Sequence, residues 1–238
     1  MRLDAYLVEM GIFRSRGRSK KAIIGGKVKV NGVVVSKPSK DISNESDVDV
    51  EEGLDKPQGY FKLKRIQEAS DLIGEKDHVL DLGSSAGGFI MFASEIAADV
   101  KGVEFSHEFR SDLGQIAHKR DNVSVMFGDV FILSLSSMSQ QQVDVILNDM
   151  TLDPEAALDA LERILPLLKE NGKVLQVIKM GDRRGNGRND RQPLLDRMED
   201  MGLSVLDVIE STKQEIYVIA RKGIARRTIN DDGLMLLK

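Results

Sequence analysis

Residues 79–89 read VLDLGSSAGGF: an apolar run, an acid, a loop of glycines and small residues, then the start of a helix. Gly83, Gly87 and Gly88 let backbone come close to a ligand, and the free N–H groups of a new helix start face it. The loop has no Gly-Lys-Ser/Thr ending, which argues against a nucleoside triphosphate, and it is not a clean G-x-G-x-x-G. The local pattern therefore specifies a nucleotide-like cofactor without naming it.

Outward from this loop, short apolar runs alternate with helical periods. Strands are predicted at 78–82, 100–103, 123–127, 143–147, 173–178, 204–209 and 215–220, with helices at 88–97, 108–119, 154–169 and 191–201. Such alternation implies an α/β fold with a mainly parallel, seven-stranded, doubly wound sheet, whose ligand site lies at the carboxyl ends of the strands. Only a turn, Ser211 to Gln214, separates the last two strands, which predicts an antiparallel hairpin at the sheet edge. Two further acids sit at strand ends. Glu104 follows the second strand, where a carboxylate accepts hydrogen bonds from both ribose hydroxyls, and Asp129 ends the third, where it or the neighbouring Val130 N–H meets an adenine edge. Together with Asp81, these acids favour S-adenosylmethionine over a dinucleotide. The candidate cofactor set is Asp81, Gly83, Ser84, Ser85, Ala86, Gly87, Gly88, Phe89, Glu104, Asp129, Val130 and Asp149.

The amino-terminal part differs in character. Residues 1–38 hold nine Lys or Arg against two acids, whereas the other 200 residues hold 25 basic and 36 acidic ones, so the net charge of -4 conceals a basic segment on an acidic body. Leu3, Tyr6, Leu7 and Met10 have helical spacing, with Gly11 as the stop. Ser15 is the predicted N-cap of a second helix through Ile24, its Arg16, Arg18, Lys20 and Lys21 wet while Ala22, Ile23 and Ile24 pack. Gly25 and Gly26 end it. KVKVNGVVV, residues 27–35, alternates and turns at Asn31-Gly32, a hairpin signal. Another strand is predicted at 48–50. Arg14, Arg16, Arg18, Lys20, Lys21, Lys27 and Lys29 form the candidate RNA-binding set, in which phosphates and shape dominate recognition. Only Tyr6 and Phe13 are available there for base stacking. The division is 1–55 for this domain, 56–59 for a linker, 60–222 for the catalytic domain and 223–238 for a tail.

There are no cysteines, which excludes a disulfide framework, thiolate metal sites and a cysteine nucleophile. His78, His107 and His118 lack metal-ligand spacing, and no metal is expected. Neither a signal peptide nor a run of about 18 apolar residues is present, so the reading is a cytoplasmic chain without membrane attachment.

The glycine loop, together with YFKL at 60–63, LNDMT at 147–151, VIKMG at 177–181 and QEIYVIA at 214–220, resembles the FtsJ-like RNA ribose 2′-O-methyltransferases. Residues 1–55 resemble the RNA-binding domain first seen in small-subunit ribosomal protein four, and the pairing resembles the hemolysin-like TlyA family of ribosomal RNA methyltransferases. The resemblance implies a Rossmann-like methyltransferase domain, S-adenosylmethionine as cofactor, and ribosomal RNA or a ribosomal subunit as partner. It also implies a catalytic Lys-Asp-Lys-Glu tetrad at Lys62, Asp149, Lys179 and Glu215. The chain departs from its families at Lys56–Phe61, where TlyA-like proteins carry Ser-Arg-Gly-Gly. It departs again at Ala86 and Phe89, where the bacterial heat-shock FtsJ enzymes carry Pro and Trp.

A ribose hydroxyl is a weak acid, so its attack on a sulfonium methyl needs a base that takes the proton and holds the oxygen in line. Lys179 serves if Lys62 and burial lower its pKa, while Asp149 and Glu215 oppose that shift. Two structural salt bridges are the plainer alternative for these four residues. Cytosine carbon-5 methylation is excluded by the missing cysteine, and Asn148-Asp149-Met150-Thr151 lacks the Pro-Pro of amine methyltransferases. A non-catalytic RNA-binding ribosome-assembly factor and a base-amine methyltransferase are the competing functions. A pore-forming role, which the hemolysin name suggests, has no supporting segment. The loop GDRRGNGRND at 181–190 is predicted to border the site, and the tail carries Arg226 and Arg227.

Overall fold

The computed structural model describes residues 1–10, 12–13, 15–43, 46–50, 56–180, 191–211, 215–223, 227–229 and 235–237. The chain divides into two compact units, Met1–Pro57 and Gln58–Lys238.

The first unit holds α1 (Leu3–Glu9), α2 (Arg16–Ile24), β1 (Val28–Val30), β2 (Val33–Val34) and β3 (Val48–Val50). Both β2 and β3 pair antiparallel with the central β1. Asn31 and Gly32, at φ 52° and 78°, supply the two positive angles of a type I′ hairpin turn. Ser15 Oγ accepts the Arg18 N–H at 3.4 Å and caps α2. Leu3, Leu7, Phe13, Ile23, Val28 and Val30 form the core. Three sequence expectations fail here. Met10 and Ile24 are 59% and 66% exposed, because Met10 is the C-cap beyond the end of α1 and Ile24 falls one position past the face that α2 turns inward. Phe13 is buried and so is not available to stack on a base. Asp4, also buried, is held by Arg2 (3.0 Å) and Arg16 (3.1 Å), and these guanidinium contacts pull its carboxyl down to about 2.

The second unit begins with α3 (Gln58–Ser70), so Gln58 and Gly59 are helical rather than linker. It continues through β4 (His78–Leu82), α4 (Gly88–Ala93), β5 (Asp99–Glu104), α5 (Arg110–Lys119), β6 (Val123–Phe127), α6 (Leu135–Met138), β7 (Val143–Asn148), α7 (Pro154–Ile164) and β8 (Leu168–Lys179). Next come α8 (Gln192–Asp200), β9 (Leu203–Glu210), β10 (Glu215–Lys222), β11 (Arg227–Ile229) and β12 (Met235–Leu237). The seven-stranded sheet has the order β6-β5-β4-β7-β8-β10-β9. Pairings from β6 to β8 are parallel, and β10 runs antiparallel between β8 and β9. The hairpin is thus present, but its first strand takes the edge and its second slots inside. Residues 212–214 of its turn lie outside the described residues.

The strand period of two sends alternate residues to opposite faces. Val79 packs with Tyr60, Leu63, Ile90 and Leu113 of α3, α4 and α5, while Leu80 and Leu82 pack with Leu158, Leu161 and Met198 of α7 and α8. The predicted helix over 154–169 stops at Ile164, because Pro166 has no N–H to continue it; a 3₁₀ turn follows and β8 starts at Leu168. Helix α4 likewise ends at Ala93 instead of Ala97, and α5 starts after a 3₁₀ turn at His107–Phe109. The segment read as a tail contains the antiparallel pair β11 and β12. Among the described residues no helix is long and apolar enough to cross a membrane.

Candidate active site

Lys179 and Glu215 are cross-strand partners in the β8–β10 ladder, so sheet register alone places the two side chains together. Asp149 follows the end of β7, the other neighbour of β8, and Lys62 reaches in from α3. The contacts close a ring. Lys62 Nζ donates to Asp149 Oδ2 at 2.8 Å and to Glu215 Oε2 at 3.3 Å, and Lys179 Nζ donates to Asp149 Oδ1 at 2.6 Å and to Glu215 Oε2 at 3.1 Å. The four residues spread over the sequence thus form one alternating cluster of charges.

Its supports are local. Asn148, fully buried, donates to Gln176 Oε1 at 2.7 Å and to the Ala157 carbonyl at 3.0 Å, tying β7 to β8 and α7 beneath Asp149. The Tyr217 hydroxyl donates to Glu215 Oε1 at 2.7 Å. Lys62 Nζ lies 5.4 Å from the Tyr217 ring centroid and 5.8 Å from that of Phe89. Sequence reasoning overlooked Asn148 and Tyr217 as supports; the signal was their position beside Asp149 and two residues after Glu215.

Burial lowers the Lys179 pKa, but Asp149 and Glu215 outweigh it, and the net shift is upward. Lys179 in the free protein is an ammonium, not the lowered amine that a base at rest requires. Glu215 moves the other way: burial raises it, but hydrogen bonds from Tyr217 and Lys179 bring it below the usual carboxylate range. Burial holds the Tyr217 hydroxyl up at about 12.

Beside the cluster is a cavity of about 520 Å³ whose wall includes Gly83, Ser85, Glu104, Asp129, Val130 and Asp149. Gly83 turns at φ +79°, and a Cβ there would lie 2.8 Å from Met150 Cγ; only glycine leaves this passage open. Glu104 is aimed by two backbone donors, Ser85 N–H to Oε2 and Ser106 N–H to Oε1, both 2.7 Å. Asp129 Oδ1 accepts the Phe131 N–H at 2.8 Å. Asp81 and Ser84 lie buried below the loop, and Asp81 Oδ2 has no partner. Burial, with Asp149 and Glu104 nearby, pushes Asp81 up to about 7.

Ala86, Gly87, Gly88 and Phe89 lie outside this wall. Gly88 is instead a packing position: a Cβ there would be 2.6 Å from Tyr60 N and 2.8 Å from Gly59 Cα. The wall also includes Phe105, Phe131, Met150 and Leu152, which no motif marked. Arg16, Lys20, Lys21, Lys27 and Lys29 are exposed on the first unit and Arg18 is half-buried; Lys29 lies 4.0 Å from Asp49. Arg14 and loop 181–190 lie outside the described residues. Among the described residues no group of three His, Asp or Glu side chains has metal-binding geometry.

A family model for FtsJ-like methyltransferases matches residues 56–187, more than half of the chain and every tetrad residue except Glu215. The chain belongs to the FtsJ-like methyltransferase family. A second model, the S4 domain, matches residues 1–49. The ribosomal RNA large subunit methyltransferase E of Natronomonas pharaonis is 28% identical over 196 residues, 75% of each chain. The 16S/23S rRNA (cytidine-2′-O)-methyltransferase TlyA of Mycobacterium tuberculosis is 26% identical over 174 residues, 64% of this chain and 65% of that one. Among solved structures, a hemolysin-like protein from Streptococcus thermophilus superposes with a TM-score of 0.58 at 21% identity, covering 94% of this chain and 88% of that one.

FtsJ-like methyltransferases draw their methyl group from S-adenosylmethionine, and the cavity fits such a molecule on its own geometry. Glu104 and Asp129 offer acceptors for hydroxyl and amine hydrogens, apolar Val130 and Phe131 flank them, and the unpartnered Asp81 oxygen lies beneath the glycine loop as an acceptor without a donor.

Proposed function

We propose that this FtsJ-like methyltransferase transfers a methyl group to a ribose 2′-hydroxyl of ribosomal RNA in the cytoplasm, with residues 1–55 holding the RNA and residues 60–222 performing the chemistry. The observation that carries this reading is the closed Lys62–Asp149–Lys179–Glu215 ring, which shares Asp149 with the cofactor cavity. The relatives named for ribosomal RNA and for a cytidine 2′-oxygen support the choice of acceptor.

S-adenosylmethionine, when bound, supplies an electrophilic methyl group on a sulfonium. The chain supplies position and proton management. Two ammonium groups and two carboxylates hold a hydroxyl by donors and acceptors whose directions are already set, which reduces the barrier by orientation. Lys179 takes the hydroxyl proton once it is in its amine form. Asp149 and Glu215 together oppose that step, because their contacts hold the Lys179 ammonium, and weakening either contact would ease loss of its proton. Lys62 stays paired to both carboxylates and keeps the ring closed while Lys179 changes state. Glu215, fixed by Tyr217, stops Lys179 from swinging away.

Ribosomal RNA incubated with the protein and cofactor, then cleaved by alkali, tests the reading. A 2′-O-methyl group removes the nucleophile of alkaline cleavage, so one phosphodiester becomes resistant. Methyl groups recovered on a base instead, or none, overturn it.

A further inference from the structure

A second cavity, of about 670 Å³, is bordered by α3, the helix that carries Lys62, and shares no lining residue with the cofactor cavity. It is lined by Gln58, Phe61, Arg65, Ile66, Ile209, Glu210, Ser211 and Tyr217, drawn from α3, the end of β9 and β10. The Tyr217 hydroxyl, 2.7 Å from Glu215 Oε1, links it to the ring, as Asp149 links the cofactor cavity. One member of the ring, Asp149, thus lines the first hollow, and Tyr217, the donor to Glu215, lines the second, which also carries an aromatic and a cation. A transfer reaction needs separate places for donor and acceptor.

Phe61 and Arg65 are four residues apart on α3 and share one helix face. Phe61 is 37% exposed, and its ring meets that of Tyr60 in a T-shaped contact with centroids 5.2 Å apart. Arg65 is exposed and makes no ion pair with any described residue, whereas Glu210 across the cavity is already neutralised by Arg191 at 3.0 Å. The cavity thus presents a partly exposed aromatic ring and an unspent guanidinium. Single-stranded RNA is recognised by that combination, a base stacking on the ring and a phosphate meeting the cation.

Resting on the ribose-methylation reading, we propose that this second cavity is the acceptor-nucleotide site: the base of the nucleotide to be methylated stacks on Phe61, Arg65 holds the adjacent phosphate, and its ribose reaches the tetrad past Tyr217. Stacking is tolerant of base identity, so the site fixes position while sequence choice is made elsewhere.

The test measures binding of a single-stranded RNA octamer pool carrying one 2-aminopurine, in full-length protein, alongside methyl transfer to ribosomal RNA. Phe61→Ala is expected to weaken octamer binding about tenfold, the loss of one base–aromatic stack, and to abolish stacking-dependent quenching of the 2-aminopurine. Phe61→Trp restores both. Arg65→Gln lowers the slope of log affinity against log salt by about 0.7, one single-strand phosphate contact. Dissociation constants for S-adenosylmethionine stay unchanged in all three, which a merely misfolded variant would not show. Wild-type quenching retained in Phe61→Ala, or a salt slope unchanged in Arg65→Gln, overturns the assignment. If octamer binding follows these expectations while wild-type protein methylates no ribose, the cavity binds RNA and the reaction reading alone fails.

Discussion

Replacing Gly88 with alanine adds one methyl group at the tightest backbone contact between α4 and the helix that carries Lys62. The new Cβ would lie 2.6 Å from Tyr60 N, 2.8 Å from Gly59 Cα and 2.9 Å from Gly59 C. All three are backbone atoms of α3, so no side chain swings aside and the helix itself has to move. Overpacking of this kind costs about 1–3 kcal/mol, against a gain of about 0.4–1 kcal/mol from the smaller entropy of the unfolded chain. For a unit of this size the net loss lowers Tm by roughly 2–8 °C. Displacement of α3 also moves Lys62 Nζ from its 2.8 Å contact with Asp149, and a misplacement of about 1 Å at a reacting group costs on the order of a hundredfold in rate. Because Gly88 does not line the cofactor cavity, affinity for S-adenosylmethionine should change little. Calorimetry, kcat and cofactor titration on Gly88→Ala check the three parts separately. A variant with lost cofactor affinity but wild-type Tm would refute the packing argument and return Gly88 to the cofactor loop.

Three further outcomes follow from the charges. Asp81, ionised when unfolded but raised to about 7 when folded, makes the folded state hold the extra proton between about pH 4 and 7, so it contributes a loss of stability as pH rises through that window; Asp81→Asn should remove this slope from a plot of Tm against pH, and an unchanged slope contradicts it. Because the Lys179 pKa is raised, kcat/KM should climb with pH through neutrality with no plateau below the ordinary lysine range, and Glu215→Gln should move the bend to lower pH; a plateau near neutrality rules Lys179 out as the base. In the first unit, Lys20→Gln should reduce the salt dependence of RNA affinity without altering Tm, whereas Arg16→Gln should reduce both because Arg16 also holds buried Asp4 at 3.1 Å; equal Tm values for the two variants contradict that distinction.

The parallel sheet and the tetrad were legible because both rest on local patterns: apolar runs bounded by acids and glycines, and four short motifs of a known family. Register was legible only in part. That Lys179 and Glu215 face each other depends on β10 inserting between β8 and β9, a long-range pairing that the short Ser211–Gln214 turn hints at but does not specify. Helix α3 is amphipathic through Tyr60, Leu63 and Ile66, yet the linker-like Pro57 and Gly59 before it masked its start. Gly87 and Gly88 illustrate the same limit. A glycine needed for a ligand and one needed for a neighbouring helix look alike in sequence; only the structure shows that Gly83 lines the cavity while Gly87 lies against Ile116 of α5 and Gly88 against Tyr60 of α3. The direction of the Lys179 shift was likewise closed to sequence reasoning, since burial and two carboxylates oppose each other and only their distances decide.

The central claim is that the four-residue ring moves a methyl group to a ribose oxygen. Its most direct test maps alkali-resistant phosphodiesters in ribosomal RNA after incubation with S-adenosylmethionine and either wild-type or Lys179→Ala protein, each checked for cofactor binding. The account predicts one new resistant position with wild type and none with Lys179→Ala, both proteins binding the cofactor alike. Resistance produced equally by Lys179→Ala, or methylation found on a base, would contradict it.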